Sequence, residues 1–264
     1  MITTFDLWSC FWLLLEFSPT INNGGDGDKD SGGVLGVSVV IPTYNERENM
    51  MKLIPVLERI FLREGYDGEI VVVDDNSPDG TADLLENLNE KYDNIRVILR
   101  DKPLGVGSAT VRGMREAKKP IIVTMDADFA HPPSLIPKLL ENIDYYDIVV
   151  ASRHIKGGGM IAPPLHAFAS YTINLAANLL LRNKVRDNTG GFKAIKKTVI
   201  DKIEVYSRGG EYDIELLYKA ERMGFCIKEV PFVYTWRKLG GSKNRPIYYF
   251  TYLHKILQLL RKKI

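Results

Sequence analysis

Cysteine is almost absent from this 264-residue sequence: Cys10 and Cys226 are the only two, and they lie in unlike settings. Neither a disulfide framework nor a zinc cluster can be built from that pair, which points to a reducing compartment. Net charge is nearly absent too, at +2, too little to argue for a nucleic-acid partner. No segment reads as a spanning helix, which needs ~20 predominantly apolar residues. Leu7 to Phe17 (LWSCFWLLLEF) stops short of that, is interrupted by Glu16, and lacks the basic stretch that opens a signal peptide. The Gly-rich phosphate loops are missing as well. No Gly-x-Gly-x-x-Gly follows the first predicted strand, no Gly-Lys-Ser/Thr loop occurs, and Gly105-Val106-Gly107 is a lone Gly-x-Gly after the third strand. That argues against a dinucleotide dehydrogenase and a P-loop nucleotidase. No Ser–His–Asp order suggests itself, and His131 beside Pro132 reads as a helix-entry residue rather than a base.

What is present is a repeated alternation. VSVVIP (37–42), EIVVVDD (69–75), IRVIL (95–99), PIIVTMD (120–126) and DIVVAS (147–152) are short and rich in Val and Ile, as parallel strands buried on both faces are. Between them, helical spacing of apolar residues runs over 46–63, 78–92, 107–117 and 132–143. Strand and helix in alternation predict an α/β fold, a mostly parallel open sheet with helices on both faces. Ligands of such sheets bind at the carboxyl ends of the strands. Residues 37–264 read as one domain. Residues 1–36 read as an apolar segment followed by a flexible linker, NNGGDGDKDSGG. In the second half, 160–182 is apolar, 213–224 is an amphipathic helix, 227–236 reads as a strand and 246–264 as an aromatic, basic helix. From Arg237 onward there are eight Lys and Arg and no Asp or Glu, a balance suited to phosphates or an anionic surface.

Two of the strands end in acidic pairs, Asp74–Asp75 and Asp126–Ala127–Asp128, and the first ends in Pro42-Thr43-Tyr44-Asn45-Glu46. A single strand-end Asp is commonly a cap or turn former, and Asp79 reads that way. Asp126 and Asp128 are different: like charges so close in a half-buried crevice repel unless a cation lies between them. Oxygen-only ligation by few protein groups suits Mg²⁺ or Mn²⁺, which keep positions for substrate phosphates.

The segments VSVVIPTYNERENM, EIVVVDDNSPDGT, MDADFAHPPS, VASRHIKGGG, DNTGGFKAI, EVPFVY and RKLGGSK follow one another as in the family 2 glycosyltransferases. From Val37 to the C-terminus the chain resembles that family and its GT-A (Rossmann-like) fold, and within it the dolichyl-phosphate (polyprenyl-phosphate) mannose synthases. The resemblance implies that Pro42, Tyr44 and Glu46 form the nucleotide-binding first loop and that Val73 and Asp75 hold the base. It implies that Asp126, Ala127 and Asp128 grip the ribose and the metal on the diphosphate, and that Arg153, Arg237 and Lys243 face the donor and acceptor phosphates. Four positions depart from the pattern: Ala130 where some relatives place a Gln metal ligand, His166 where an Arg is usual, Gly241 for Glu, and Gly190 for Ser.

The reaction so implied is inverting transfer of mannose from GDP-mannose to a dolichyl or polyprenyl phosphate, with Mg²⁺ or Mn²⁺, at the cytoplasmic face of a membrane. A phosphate monoester acceptor, with a second pKa of ~6, is mostly dianionic at neutral pH and needs no general base. A lipid acceptor requires contact with the membrane surface. The stripe Leu165, Phe168, Ala169, Thr172, Leu175, Ala176 and Leu179 fits either a core helix or a helix lying in the interface, and 246–264 carries Tyr, Phe, Lys and Arg suited to a headgroup layer. Transfer of another hexose, as from UDP-glucose, and a non-catalytic nucleotide-binding subunit are the alternatives, and membrane-anchoring subunits remain open. The absence of Gln-x-x-Arg-Trp argues against a processive polysaccharide synthase.

Overall fold

Val37, Val39 and Ile41 point to one side of the first strand and Ser38 and Val40 to the other, and both sets are buried. Such a strand belongs inside a sheet that helices cover on each face. The computed structural model, which describes residues 34–236 and 248–261, has that sheet. Its strands are β1 (Gly36–Thr43), β2 (Asp67–Asp74), β3 (Ile95–Leu99), β4 (Ile121–Thr124) and β5 (Ile148–Ser152), joined by β7 (Lys193–Lys196) and β8 (Ile227–Pro231). They lie in the order β3-β2-β1-β4-β7-β5-β8, and β6 (Gly159–Ile161) and β9 (Val233–Thr235) pair separately. All pairings are parallel except the two made by β7.

Helices α1 (Arg47–Glu64), α2 (Thr81–Tyr92) and the short α4 (Ile136–Leu140) cover one face, where Met50, Leu53, Leu85 and Leu139 meet Val39, Val72 and Val123. Helices α3 (Val106–Glu116), α6 (Lys197–Lys202) and α7 (Tyr212–Arg222) cover the other, where Met114, Val199 and Leu216 meet Val40, Val71 and Val150. Outside α7 lie α5 (Pro164–Leu181) and α8 (Tyr248–Arg261), sharing a third core of Ala177, Leu181, Ile214, Tyr218, Ile256 and Leu259.

Three expectations are corrected. Residues 78–80 are a turn, and the second helix starts at Thr81 because the Asp79 carboxylate accepts the Thr81 N–H at 3.0 Å. The helix expected over 132–143 is a 3₁₀ turn, Pro133–Leu135, followed by the five residues of α4. The single strand expected over 227–236 is two, β8 and β9, which part at Phe232 to join different sheets. The antiparallel β7, inserted between β4 and β5, was not expected. The apolar segment and linker over 1–36 lie, but for the last three residues, outside those described.

Helix α5 is not a core helix. Only Asn174, Ala177 and Leu181 are buried, whereas Phe168 is 66% and Leu179 70% exposed. On α8, Phe250, Leu253, Leu257 and Leu260 are likewise exposed. Among the described residues no helix is long and apolar enough to cross a membrane.

Glu215 of α7 anchors α8. Its carboxylate, itself buried, takes Lys219 Nζ at 2.7 Å, Lys255 Nζ of α8 at 3.1 Å and the Ser207 N–H at 3.0 Å. Burial opposes its ionisation, but the bonds from Lys219 and Ser207 and the Lys255 charge outweigh it and hold the carboxyl down at about 2. A carboxyl depressed by folding contributes stability above its ordinary value of 4.5 that is lost as the pH falls toward 2. Glu215→Gln therefore melts at a lower temperature than the parent at neutral pH, and the gap narrows in that acid window. Melting curves across a pH series check this, and a gap that stays constant through the window would rule out the carboxylate as the anchor.

Candidate active site

The carboxyl ends of β1, β2 and β4 come together, and each is turned sharply. Asn45, Asn76 and Phe129, one after each of these strands, have φ of 55°, 58° and 61°, the left-handed region that costs a non-glycine residue free energy and clusters at functional sites. Of the acidic pair after β2, Asp74 is fully buried and structural. It accepts the Thr43 hydroxyl at 2.8 Å and the Ser77 N–H at 2.8 Å, tying the ends of β1 and β2. Asp75 is paired through Oδ1 with Nε and Nη2 of Arg100, whose Nη1 reaches Ser108 Oγ at 2.8 Å and whose Nη2 also reaches the Gly105 carbonyl at 3.2 Å. Arg100 thus fixes the Asp75 carboxylate from behind. Only its place one residue past β3 marked it in the sequence.

Pro42 costs the sheet no hydrogen bond. The Val40 carbonyl accepts from Met125 of the β4 side, and the Thr43 carbonyl from Asp75 of the β2 side. Pro42 therefore faces the β4 side, where pairing has ended at Val40–Thr124. Glu46 accepts the Asn49 amide at 2.6 Å just before α1, and Tyr44 is half-buried in the same loop. The Val73 side chain is fully buried under α3, where a Cβ on Gly113 would sit 3.1 Å from its Cγ2. Val73 can therefore meet a base only through its backbone.

In Asp126-Ala127-Asp128 the middle methyl belongs to the core, so Ala127 too offers only its backbone. Asp126 is half-exposed, and Asp128 Oδ1 accepts the Ala130 N–H at 3.0 Å. His131 is buried, stacks on Phe192 at 5.1 Å between ring centroids, and its Nδ1 accepts the Asp126 N–H at 2.9 Å. Burial drives its pKa down to about 3 against the pull of Asp128. The ring is neutral, already used as an acceptor, and acts as a brace rather than a base. Two carboxylates with no free imidazole or thiol match a hard divalent cation that takes its other ligands from phosphate and water. Among the described residues no group of three or more His, Cys, Asp and Glu forms a protein cage for a metal.

Arg153, the residue after β5, is embedded. Its Nε and Nη2 grip the fully buried Asp187 at 2.7 and 2.6 Å, and Nη2 also reaches Thr189 Oγ1 at 2.8 Å. Burial disfavours the Asp187 charge, but the Arg153 charge and hydrogen bonds prevail and hold the carboxyl below its ordinary value. Nη1 makes no hydrogen bond to a described residue and is available to an anion. Arg153, Lys193, Asp128 and Asp187 all act electrostatically on His131, and the ends of β4 and β5 that carry Asp128 and Arg153 lie at the same edge of the sheet, with β7 antiparallel between them.

A second buried pair was missed by sequence reading. Lys193, with no exposed surface, pairs with Asp213 at the start of α7, and its Nζ lies 5.1 Å from the Tyr212 ring centroid. Burial lifts Asp213 to about 6; Lys193 opposes the rise and Asp126 adds to it. Of the departures from the family pattern, the Ala130 side chain is buried. His166 Nδ1 lies 2.9 Å from the Tyr249 hydroxyl, with its ring 4.4 Å from Trp236. Arg237, Lys243 and Gly241 lie outside the described residues.

The family model for glycosyl transferase family 2 matches residues 38–204. The chain is 38% identical over 231 residues to a dolichol-phosphate mannosyltransferase of Pyrococcus furiosus, covering 86% of this chain and 64% of that protein. It is 35% identical to a polyprenol monophosphomannose synthase of Mycolicibacterium smegmatis, over 78% of this chain and 79% of the relative. To an undecaprenyl-phosphate mannosyltransferase of Micrococcus luteus it is 32% identical, over 79% and 87%. The chain thus spans just under two thirds of the archaeal relative and most of the two bacterial ones. Among solved structures, glucosyl-3-phosphoglycerate synthase from Mycobacterium tuberculosis with Mn²⁺, UDP and product superposes with a TM-score of 0.61 at 21% identity, over 86% of this chain and 79% of that one. The same enzyme with Mg²⁺ and UDP gives 0.63 at 19% identity, over 87% and 81%. At such identity the likeness establishes the fold, a GT-A-type α/β sheet. The match over most of the sheet and the three relatives above 30% identity make the chain a member of glycosyl transferase family 2.

Proposed function

We propose that the chain transfers mannose, with inversion, from GDP-mannose to a polyprenyl or dolichyl phosphate, working from the cytoplasmic face of a membrane. The observation that carries this reading is that a carboxylate pair able to hold a cation follows β4 and a buried arginine, whose Nη1 is available to a phosphate, follows β5 at the same edge of the sheet. The names of the relatives, which specify lipid-phosphate mannosyl transfer, support the choice of sugar and acceptor.

Asp126 and Asp128 hold Mg²⁺ or Mn²⁺, which when bound neutralises charge on the departing diphosphate. Asp75, backed by Arg100, accepts N–H groups of the base, and the Tyr44–Glu46 loop closes over the nucleotide. Arg153 presents Nη1 to the acceptor phosphate, with Arg237 and Lys243 as further cations. A planar guanidinium already fixed by Asp187 meets that phosphate with little reorganisation, which favours in-line attack. No described residue has to remove a proton, because the acceptor arrives as an anion.

The acceptor's tail directs attention to α5 and α8, whose outward faces carry Leu165, Phe168, Leu175, Leu179, Phe250 and Leu253, all exposed. These faces lie in the acyl boundary while the exposed Arg261 keeps to the headgroup side.

Purified protein is assayed with Mn²⁺ and a short polyprenyl phosphate against a panel of GDP- and UDP-sugars. Turnover is confined to GDP-mannose, and Asp128→Ala abolishes it with an unchanged melting temperature; normal turnover by that variant would remove the carboxylate from the reaction. Turnover with UDP-glucose alone would reassign the sugar. In a separate measurement, Phe168→Glu with Leu179→Glu lowers partition onto anionic vesicles by at least about tenfold, since each side chain is worth about 1.5–3 kcal/mol when buried. Co-sedimentation equal to the parent's would take α5 off the membrane.

A further inference from the structure

Helix α5 is built the wrong way round for a soluble protein. Leu165, Phe168, Leu175 and Leu179 face out, and the side turned to the body carries, beside Ala177 and Leu181, the polar Ser170, Asn174 and Asn178, each four residues from the next and therefore on one face. These polar groups grip the loop that runs into β7. The Asn188 N–H donates to Asn174 Oδ1 at 2.6 Å, and Asn188 Nδ2 donates to Asn178 Oδ1 at 2.6 Å. Asn174 Nδ2 donates to Thr189 Oγ1 at 3.0 Å and to the Ser170 carbonyl at 2.9 Å. On its other side the same Thr189 oxygen accepts Arg153 Nη2 at 2.8 Å, while its own proton faces Asp187 Oδ1 at 3.5 Å. A hydroxyl has one donor and two acceptor sites, and here each is directed at a named partner. Next to Arg153, His154 Nε2 lies 3.2 Å from Ser170 Oγ of the same helix.

We propose that Thr189 is a positioning residue: its hydroxyl joins Arg153 to Asn174, so that the seat of α5 on the body sets the direction of the Arg153 guanidinium. Asp187 alone leaves the guanidinium able to tilt about the axis of the bidentate pair, and the third bond, to Thr189, removes that freedom. Because the other side of α5 is the apolar face assigned to the membrane, a shift of the helix on its lipid would reach Arg153 through two side chains. The inference rests on the reading of Arg153 as the acceptor-phosphate ligand, so its test has one arm in turnover and one that needs none.

In the first arm, Thr189→Val keeps the shape and removes the hydroxyl, and Thr189→Ser restores it. Thr189→Val lowers kcat/KM for the polyprenyl phosphate about 10–100-fold, the worth of one hydrogen bond to a charged group. It leaves the KM for the sugar nucleotide near the parent value, and Thr189→Ser recovers the loss. In the second arm, the Arg153 Nε–H resonance is identified in ¹⁵N-arginine-labelled protein by its absence from Arg153→Lys. It exchanges slowly with solvent in the parent and in Thr189→Ser, and faster in Thr189→Val and Asn174→Ala. Parent-like acceptor kinetics in Thr189→Val, or equal protection of Arg153 in all variants, overturns the proposal. A parent protein that turns over no lipid phosphate would overturn the functional reading instead, and the exchange rates would still decide the positioning.

Discussion

A guanidinium taken out of water stays where a carboxylate of equal burial holds it, and the Arg153–Asp187 pair joins parts of the chain far apart in sequence. Arg153 follows β5 and Asp187 lies within the loop into β7. That loop is in turn held by Glu229 of β8, whose carboxylate accepts the Arg186 and Asp187 N–H groups at 2.9 and 3.0 Å. Removing one partner of such a pair strands a buried charge, at a cost of about 3–5 kcal/mol. The antiparallel insertion of β7 is therefore more than a topological detail. It brings Asp187 to β5 and Lys193 to the carboxyl edge of a sheet whose other edge residues are largely acidic.

Charge balance at that edge explains why two buried cation–carboxylate pairs flank the strand-end acids. Burial does most to raise the pKa of Asp213, Tyr212 and Tyr252, and Asp126 adds to each rise, so its negative field reaches these three groups. Arg153, Lys193 and Arg100 each spend much of their charge on one carboxylate and so keep their places. A cation fully neutralised by the protein would be useless to a substrate phosphate, and Arg153 avoids this by committing Nε and Nη2 while Nη1 remains. Rigidity and a retained donor in one side chain are what preorganised stabilisation of an anion requires.

Much of the first half of the chain could be read locally. β1, β2, β4 and β5 were legible because strands buried on both faces are continuous Val and Ile runs, and the strand-end rule pointed to the edge where Asp74, Asp75, Asp126 and Asp128 gather. The failures share a cause. β7 is Lys-Ala-Ile-Lys, and the lysine that spoils its apolar pattern is neutralised by Asp213, twenty residues later and on a helix, a pairing no local window contains. α4 contains Pro137 and follows Pro133, so tertiary packing and not periodicity sets its length. The stripe on α5 had the correct spacing, but spacing alone does not say whether an apolar face turns inward or outward. Its Asn174 and Asn178, which have to be satisfied somewhere, carried that information. Arg100 and Thr189 had no signal at all beyond their places next to a strand end and next to Asp187.

Ala130 shows how a missing side chain can matter less than the backbone beneath it. A Gln at this position would offer an oxygen to a cation, and its replacement suggests a weaker metal site. Yet the Asp128 carboxylate is directed by the Ala130 N–H, a group every residue but proline supplies, and the turn that presents it is set by the left-handed Phe129. With the Ala130 methyl in the core, the loop spends that position on packing and keeps Asp128 aimed by its main chain. His166 follows the same logic. Tied to the Tyr249 hydroxyl and lying on Trp236, it serves the junction of α5, α8 and β9 in place of a cation. In both positions the residue present serves the packing and hydrogen bonding around it, and the geometry of the turn after β4 and of the α5–α8 junction is kept.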